Sequence, residues 1–229
     1  MQLAYTGTGR FGAHDKLRAM RILLATTNRG KVAELRQIMS GKGVELIGLS
    51  DSETTEPIET GETFSENALL KANHYYRKSG LPTIADDSGL EVEALEGAPG
   101  VHSSRYAGVG ADDGARVSKL LEALRDLPNH RRRARFVCAA AIVWGGGQKV
   151  VLDEAQGVIL QKPRGHNGFG YDPVFLYEPL NKSFAELTAS EKAEVSHRGR
   201  AFRRLAAWMG QPGVLDTPSS TDRIVTTAD

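Results

Sequence analysis

The chain has 229 residues and a single cysteine, Cys138, so an internal disulfide and a cysteine-based zinc site are both excluded. Cys138 lies in the apolar run Phe136-Val137-Cys138-Ala139-Ala140-Ala141, which predicts a buried, inert thiol and fits a reducing compartment. An excess of charge of one sign is also missing: 29 Lys and Arg stand against 28 Asp and Glu, a formal +1. Binding to nucleic acid or to a membrane through bulk charge is disfavoured accordingly. No apolar run is long enough to span a bilayer, and residues 1–19 lack the apolar centre of a secretory signal. Internal repeats are absent. The reading is a cytoplasmic protein with no nucleic-acid or membrane partner.

What is present is an ordinary globular composition on a chain long enough for a sizeable core. Residues 1–19 read as a flexible N-terminal extension, residues 20–210 as the folded domain and residues 211–229 as a mobile tail. Arg21–Thr26 reads as a buried strand, Lys31–Met39 as a helix with Val32, Leu35, Ile38 and Met39 at helical spacing, and Val44–Leu49 as a second strand. Thr63 with Glu66 makes a capping box for a helix that Gly80 ends. Pro82–Asp86 reads as a strand, and Leu90–Leu95 as another. Asp112 or Asp113 caps a helix carrying Val117, Leu120, Leu121 and Leu124. Arg135–Trp144 and Lys149–Gln161 read as long strands joined through Gly145-Gly146-Gly147. Val174–Leu176 is a short strand, Thr188 and Glu191 form another capping box, and Ser196 caps a last helix. This mixture predicts an α/β fold with a mixed sheet and a protruding hairpin lobe. The basic run His130-Arg131-Arg132-Arg133-Ala134-Arg135 has no interleaved aromatics and reads as a solvated loop.

Chemistry concentrates in four segments. Ile84-Ala85-Asp86-Asp87-Ser88-Gly89-Leu90-Glu91-Val92 places two carboxylates at the end of an apolar run, with a tight Ser-Gly turn expected after them. Successive strand side chains face opposite ways, so Asp86 and Asp87 have different jobs: one faces a cleft and the other braces the turn. A strand-end carboxylate is well placed to hold a hard cation such as Mg²⁺, though taken alone the pair reads first as an Asp-rich turn with solvated charges. Thr26-Thr27-Asn28-Arg29-Gly30-Lys31 is a strand–loop–helix passage whose helix start offers unpaired N–H groups, with Lys31 adding a point charge. It lacks the GxxxxGK spacing of a Walker loop, and by itself it is also an ordinary helix entry. Phe169-Gly170-Tyr171-Asp172-Pro173 offers an aromatic face and a carboxylate in a Gly-rich loop. Ser196-His197-Arg198-Gly199 opens the last amphipathic segment.

These four motifs, in this order, resemble the purine nucleoside triphosphate pyrophosphatases of the inosine triphosphatase family. Glu59-Thr60-Gly61, Phe64-Ser65-Glu66-Asn67-Ala68-Leu69-Leu70-Lys71-Ala72 and Gly97-Ala98-Pro99-Gly100-Val101-His102-Ser103-Ser104-Arg105-Tyr106 are similar to that family too, and the resemblance runs from about Met20 to Met209. It implies an elongated mixed sheet with flanking helices and two lobes around a central cleft. It assigns Thr26–Lys31 to the triphosphate, Asp87 to catalysis, and Ser88 and Lys71 to substrate contacts. Asp87 has two candidate roles: ligand to Mg²⁺, and the group that orients or deprotonates the attacking water. The loop Glu56-Pro57-Ile58-Glu59-Thr60-Gly61-Glu62 can supply a further metal carboxylate, and Glu59 is the choice among its neighbours. Phe169, Gly170, Tyr171 and Asp172 would meet the purine, with Phe169 stacking and Asp172 accepting from a ring N–H. Lys192, His197 and Arg198 complete the set. Donors from His197 or Arg198 suit the 6-oxo group of hypoxanthine or xanthine and penalise the 6-amine of adenine. The activity implied is Mg²⁺-dependent hydrolysis of inosine, deoxyinosine or xanthosine triphosphate to monophosphate and pyrophosphate, by a homodimer. The alternatives are a nucleotide- or RNA-binding module without catalysis and a pyrophosphatase for pyrimidine or modified triphosphates; a pure binder has no need of Asp87.

Overall fold

A computed structural model describes residues 20–49 and 57–215. The expected N-terminal extension, Glu56 and residues 216–229 lie outside the described residues. β1 (Met20–Leu24) pairs in parallel with β2 (Val44–Gly48) on one side and with β3 (Thr83–Val92) on the other. α1 (Arg29–Met39) connects β1 to β2, and α2 (Phe64–Ser79) precedes β3. β3 then pairs antiparallel with β4 (Arg133–Trp144), β4 with β5 (Gly147–Ile159), β5 with β6 (Phe175–Tyr177) and β6 with β7 (Lys182–Ser183). The result is one mixed seven-stranded sheet in the order β2-β1-β3-β4-β5-β6-β7. α3 (Asp113–Ala123), α4 (Ala189–Val195) and α5 (His197–Met209) complete the elements used below.

Period-two alternation on β3 and β4 sorts the core. Ile84, Cys138, Ala140 and Ile142 face α1 and α5, where Leu35, Ile38, Phe202 and Leu205 bury against them. Ala85, Val137, Ala139, Ala141 and Val143 face α2, packing Phe64, Ala68, Ala72 and Tyr75. The alanines let helices lie close on both faces of one strand. Farther along, the same strands pass into a second core of Leu90, Val92, Phe136 and Ala155 with Val117, Leu120, Phe175 and Phe184. Two lobes therefore share β3, β4 and β5, and a cleft opens between them. The local signals place the helices. Asn28 caps α1, accepting from Lys31 N at 3.1 Å. The Thr63–Glu66 and Thr188–Glu191 boxes are both formed, and Ser196 caps α5 by accepting from Gly199 N at 3.0 Å. Asp112, rather than Asp113, caps α3.

Two sequence expectations are corrected. No turn follows Asp87: Pro82–Asp86 and Leu90–Leu95 are not two strands, because β3 runs unbroken through Asp86, Asp87, Ser88 and Gly89 to Val92. Gly89 is there for space. A Cβ on it would lie 2.5 Å from Gly100 O and from Ser103 Oγ. That hydroxyl accepts from Leu90 N at 2.9 Å and donates to Gly100 O at 2.7 Å, locking the 100–105 segment onto the strand. The basic run is not a plain solvated loop either. Arg132 is buried and donates to the carbonyls of Ile159, Leu124 and Leu160, while Arg135, on β4, pairs with Glu91 and Glu154. Cys138 is buried as expected, and burial pushes its thiol pKa up.

Candidate active site

The cleft encloses about 1130 Å³. Into it the fold brings Thr26–Lys31 from the β1–α1 loop, Glu59 from the acidic loop, Lys71 from α2, Asp87 and Ser88 from β3, Phe169–Asp172 from the Gly-rich loop, and Lys192, His197 and Arg198 from α4 and α5. Asp86 stays behind the wall, and Glu91, farther along β3, pairs with Arg135 instead of entering the cleft.

Alternation along β3 separates the two carboxylates, as the sequence required, but neither braces a turn. Asp86 points with Ile84 toward α1 and α5. Its Oδ2 lies 2.9 Å from Lys31 Nζ and 3.3 Å from Arg198 Nε. Burial alone would raise its pKa, but the Lys31 and Arg198 charges outweigh it and hold the carboxyl below its ordinary range. Lys31, expected as a free phosphate charge, thus spends part of its charge on Asp86. Asp87 points with Ala85 toward α2. Its Oδ1 lies 3.2 Å from Lys71 Nζ, and its Oδ2 is buried with no protein partner. Desolvation, with help from Glu59, raises the Asp87 pKa against the pull of Lys71. Glu59 Oε1 sits 2.6 Å from the same ammonium. Two carboxylates therefore meet at one point, with an orphaned oxygen beside it. Such an oxygen-only donor pair suits a hard divalent cation whose shell is completed by water and phosphate. Among the described residues no group of three or more His, Cys, Asp or Glu forms a metal cage.

The opposite wall is a second charge network. Lys192 Nζ lies 2.5 Å from Asp172 Oδ2 and 2.7 Å from Glu34 Oε1. Arg198 donates to Glu34 Oε2 at 2.5 Å, to Ser88 Oγ at 2.7 Å and to Asp86 Oδ2 at 3.3 Å. Asp172 also accepts from Phe169 N at 2.8 Å. Asp172 and Arg198, expected to meet a purine directly, are thus already engaged with protein partners. The Phe169 ring lies beneath both cations, 4.9 Å from Lys192 Nζ and 5.5 Å from Arg198 Cζ. It rests over Gly30, where a Cβ would come within 2.6 Å of Phe169 Cδ1. Tyr171 lines the cleft, but its ring is buried and its hydroxyl donates to Ser103 O at 2.9 Å. His197 stacks on Phe136 with centroids 4.7 Å apart. Burial, followed by the nearby Arg198 and Lys192 charges, lowers its pKa well below the usual value, so the imidazole is neutral.

Sequence reasoning missed three contributors. Glu34 joins Lys192 and Arg198, yet on α1 it reads as a solvated helix position. Asn67 is fully buried and clasps Gly61 from both sides, accepting from its N at 2.8 Å and donating to its O at 3.2 Å, which fixes the loop carrying Glu59. Asp113 accepts from Gly170 N at 2.7 Å. A buried asparagine on an otherwise apolar helix face was the one readable signal among them. Among the described residues, no helix is long and apolar enough to cross a membrane.

The dITP/XTP pyrophosphatase of Frankia alni is 51% identical, over 82% of this chain and 96% of that protein. That of Thermus thermophilus is 48% identical, over 82% and 91%. The solved structure of a HAM1 protein from Coxiella burnetii superposes with a TM-score of 0.76 at 40% identity, covering 83% of this chain and 98% of that one. The nucleoside-triphosphatase / dITP/XTP pyrophosphatase from Mycobacterium abscessus gives 0.66 at 46% identity, covering 81% and 97%. The Ham1 family pattern matches residues 22–208, which takes in both lobes and every wall of the cleft, and the chain belongs to the Ham1 family.

Proposed function

We propose that the chain hydrolyses deaminated, non-standard purine nucleoside triphosphates (ITP, dITP and XTP) to the monophosphate and pyrophosphate, with Mg²⁺ as cofactor. The observation that carries this reading is Asp87: a carboxylate lining the cleft, with one oxygen unpartnered and with Lys31 and Lys71 lining the same cleft. The names of the relatives point to two of these substrates, dITP and XTP.

In this reading the α1 N-terminus, Lys31 and Lys71 hold the phosphate chain. Asp87 orients or deprotonates a water whose oxygen attacks the α-phosphorus. The bond from that phosphorus to the α–β bridging oxygen breaks, pyrophosphate leaves with the bridging oxygen, and the water's proton passes to Asp87 or to solvent. Asp87 and Glu59 would hold Mg²⁺, which supplies charge neutralisation on the phosphates when bound. Phe169 stacks on the purine, and His197 contributes to reading the 6-oxo group, while Arg198 holds Ser88 and Glu34 in place. The working form is taken to be a cytoplasmic homodimer, checked by light scattering.

The test is a nucleotide panel at fixed Mg²⁺, scoring pyrophosphate against orthophosphate. ITP, dITP and XTP are expected to yield pyrophosphate well ahead of ATP. Asp87→Asn is expected to fold normally and lose about 10²–10⁴-fold in turnover, the range for a lost positioned acid–base group. Orthophosphate release with diphosphate left behind would place the reacting phosphorus at the other end of the chain and overturn the arrangement.

A further inference from the structure

We infer that Asp113 is a positioning residue for the aromatic platform: from the start of α3 it holds the backbone of the Phe169 loop on the same wall of the cleft and so sets affinity for the base half of the substrate. This rests on the reading of Phe169 as the purine's stacking partner.

Asp113 is the first residue of α3, but it does not cap that helix. Asp112 does, accepting from Ala115 N at 2.7 Å. Asp113 is therefore free for other work. One oxygen ion-pairs with Arg116 on the same helix. The other accepts from Gly170 N at 2.7 Å, 57 residues along the chain. The adjacent amide, Phe169 N, is held from the other side by Asp172 Oδ2 at 2.8 Å. Two consecutive backbone N–H groups are thus fixed by two carboxylates from different elements.

The loop needs that hold. Gly168 and Gly170, on either side of Phe169, take φ of +77° and +63°, so the backbone there has more conformational freedom than any other residue type would give it. Arg116 anchors Asp113 in turn, donating to Ser104 O at 2.8 Å and Ala111 O at 2.7 Å. An exposed i,i+3 ion pair alone is worth little. The contact to Gly170 is what gives this aspartate leverage on the ring.

The experiment measures KM and kcat for dITP, and the inhibition constant of inorganic tripolyphosphate, in wild type, Asp113→Ala and Asp113→Asn at fixed free Mg²⁺. Asp113→Ala is expected to raise KM for dITP about tenfold, the effect of one lost charge-assisted hydrogen bond, with kcat within about twofold of wild type. Tripolyphosphate, which has no base, should inhibit all three proteins equally. Asp113→Asn keeps an oxygen for Gly170 N but loses the ion pair, and it should recover most of the affinity. An unchanged KM in Asp113→Ala overturns the inference. So does an asparagine variant as weak as the alanine one, which would assign the effect to the Arg116 pair. A parallel rise in the tripolyphosphate constant overturns it too. A wild-type chain that leaves dITP intact overturns the functional reading instead, and this inference with it.

Discussion

Asp86 and Asp87 are neighbours in the chain and belong to different halves of the site, one locked behind Lys31 and Arg198, the other open to the cleft. The alternation of a strand makes that division readable from sequence. The role of Glu34 was not readable, because Lys192 and Arg198 reach it from 158 and 164 residues away. His197 shows what burial does to a titratable residue at the start of the last helix. Its neutral ring lies against Phe136, and burial first, then Arg198 and Lys192, keep its pKa depressed. The unfolded chain takes up a proton here below about pH 6.5, and the folded chain does not. Stability from this group is therefore full above that pH and is lost as pH falls, by up to about 1.4 kcal/mol per pH unit. Urea midpoints between pH 7.5 and 5.5 should fall more steeply for wild type than for His197→Phe. Equal slopes in the two proteins would show that His197 takes up its proton in the folded state as well.

At the scale of elements, capping signals were legible because they are local: Thr63–Glu66, Thr188–Glu191 and Ser196 each place a helix start within a few residues. β3 was misread for the opposite reason. Ser-Gly has the composition of a turn, and only the 100–105 segment, folded back onto the strand, explains a glycine in mid-strand. Arg132 was misread likewise, since its three carbonyl acceptors come from residues before and after it that the run itself does not name. Gly89→Ala tests the strand reading. The added methyl meets Gly100 O and Ser103 Oγ at 2.5 Å, and one of them is backbone. Overpacking of that kind costs about 1–3 kcal/mol. The loss should appear in a urea titration with an unchanged m-value. A variant as stable as wild type would mean that the 100–105 segment moves aside freely, and that Gly89 is not there for space.

The whole molecule is two cores strung on shared strands, and the cleft takes a wall from each. Lys31 and Lys71 stand on helices packed against the first core, whereas Phe169 is tied through Asp113 to α3 of the second. A ligand that engages only one wall gains only that wall's contacts. A nucleoside triphosphate spans both, and binding to the folded state alone stabilises it by mass action. Asp87→Asn is suited to the measurement, since its low turnover leaves the ligand intact. At a free dITP concentration near 100 times its dissociation constant, the gain is about 2.7 kcal/mol, which is about 5–10 °C in Tm for a domain of this size. Inosine alone and tripolyphosphate alone, at the same concentration as dITP, should each give a smaller shift, because each leaves one wall unoccupied. ATP should fall below dITP, since its 6-amine leaves donors on the base side unpaired. If tripolyphosphate matched dITP degree for degree, the Phe169 wall would contribute nothing to binding, and recognition would lie in the phosphate chain alone.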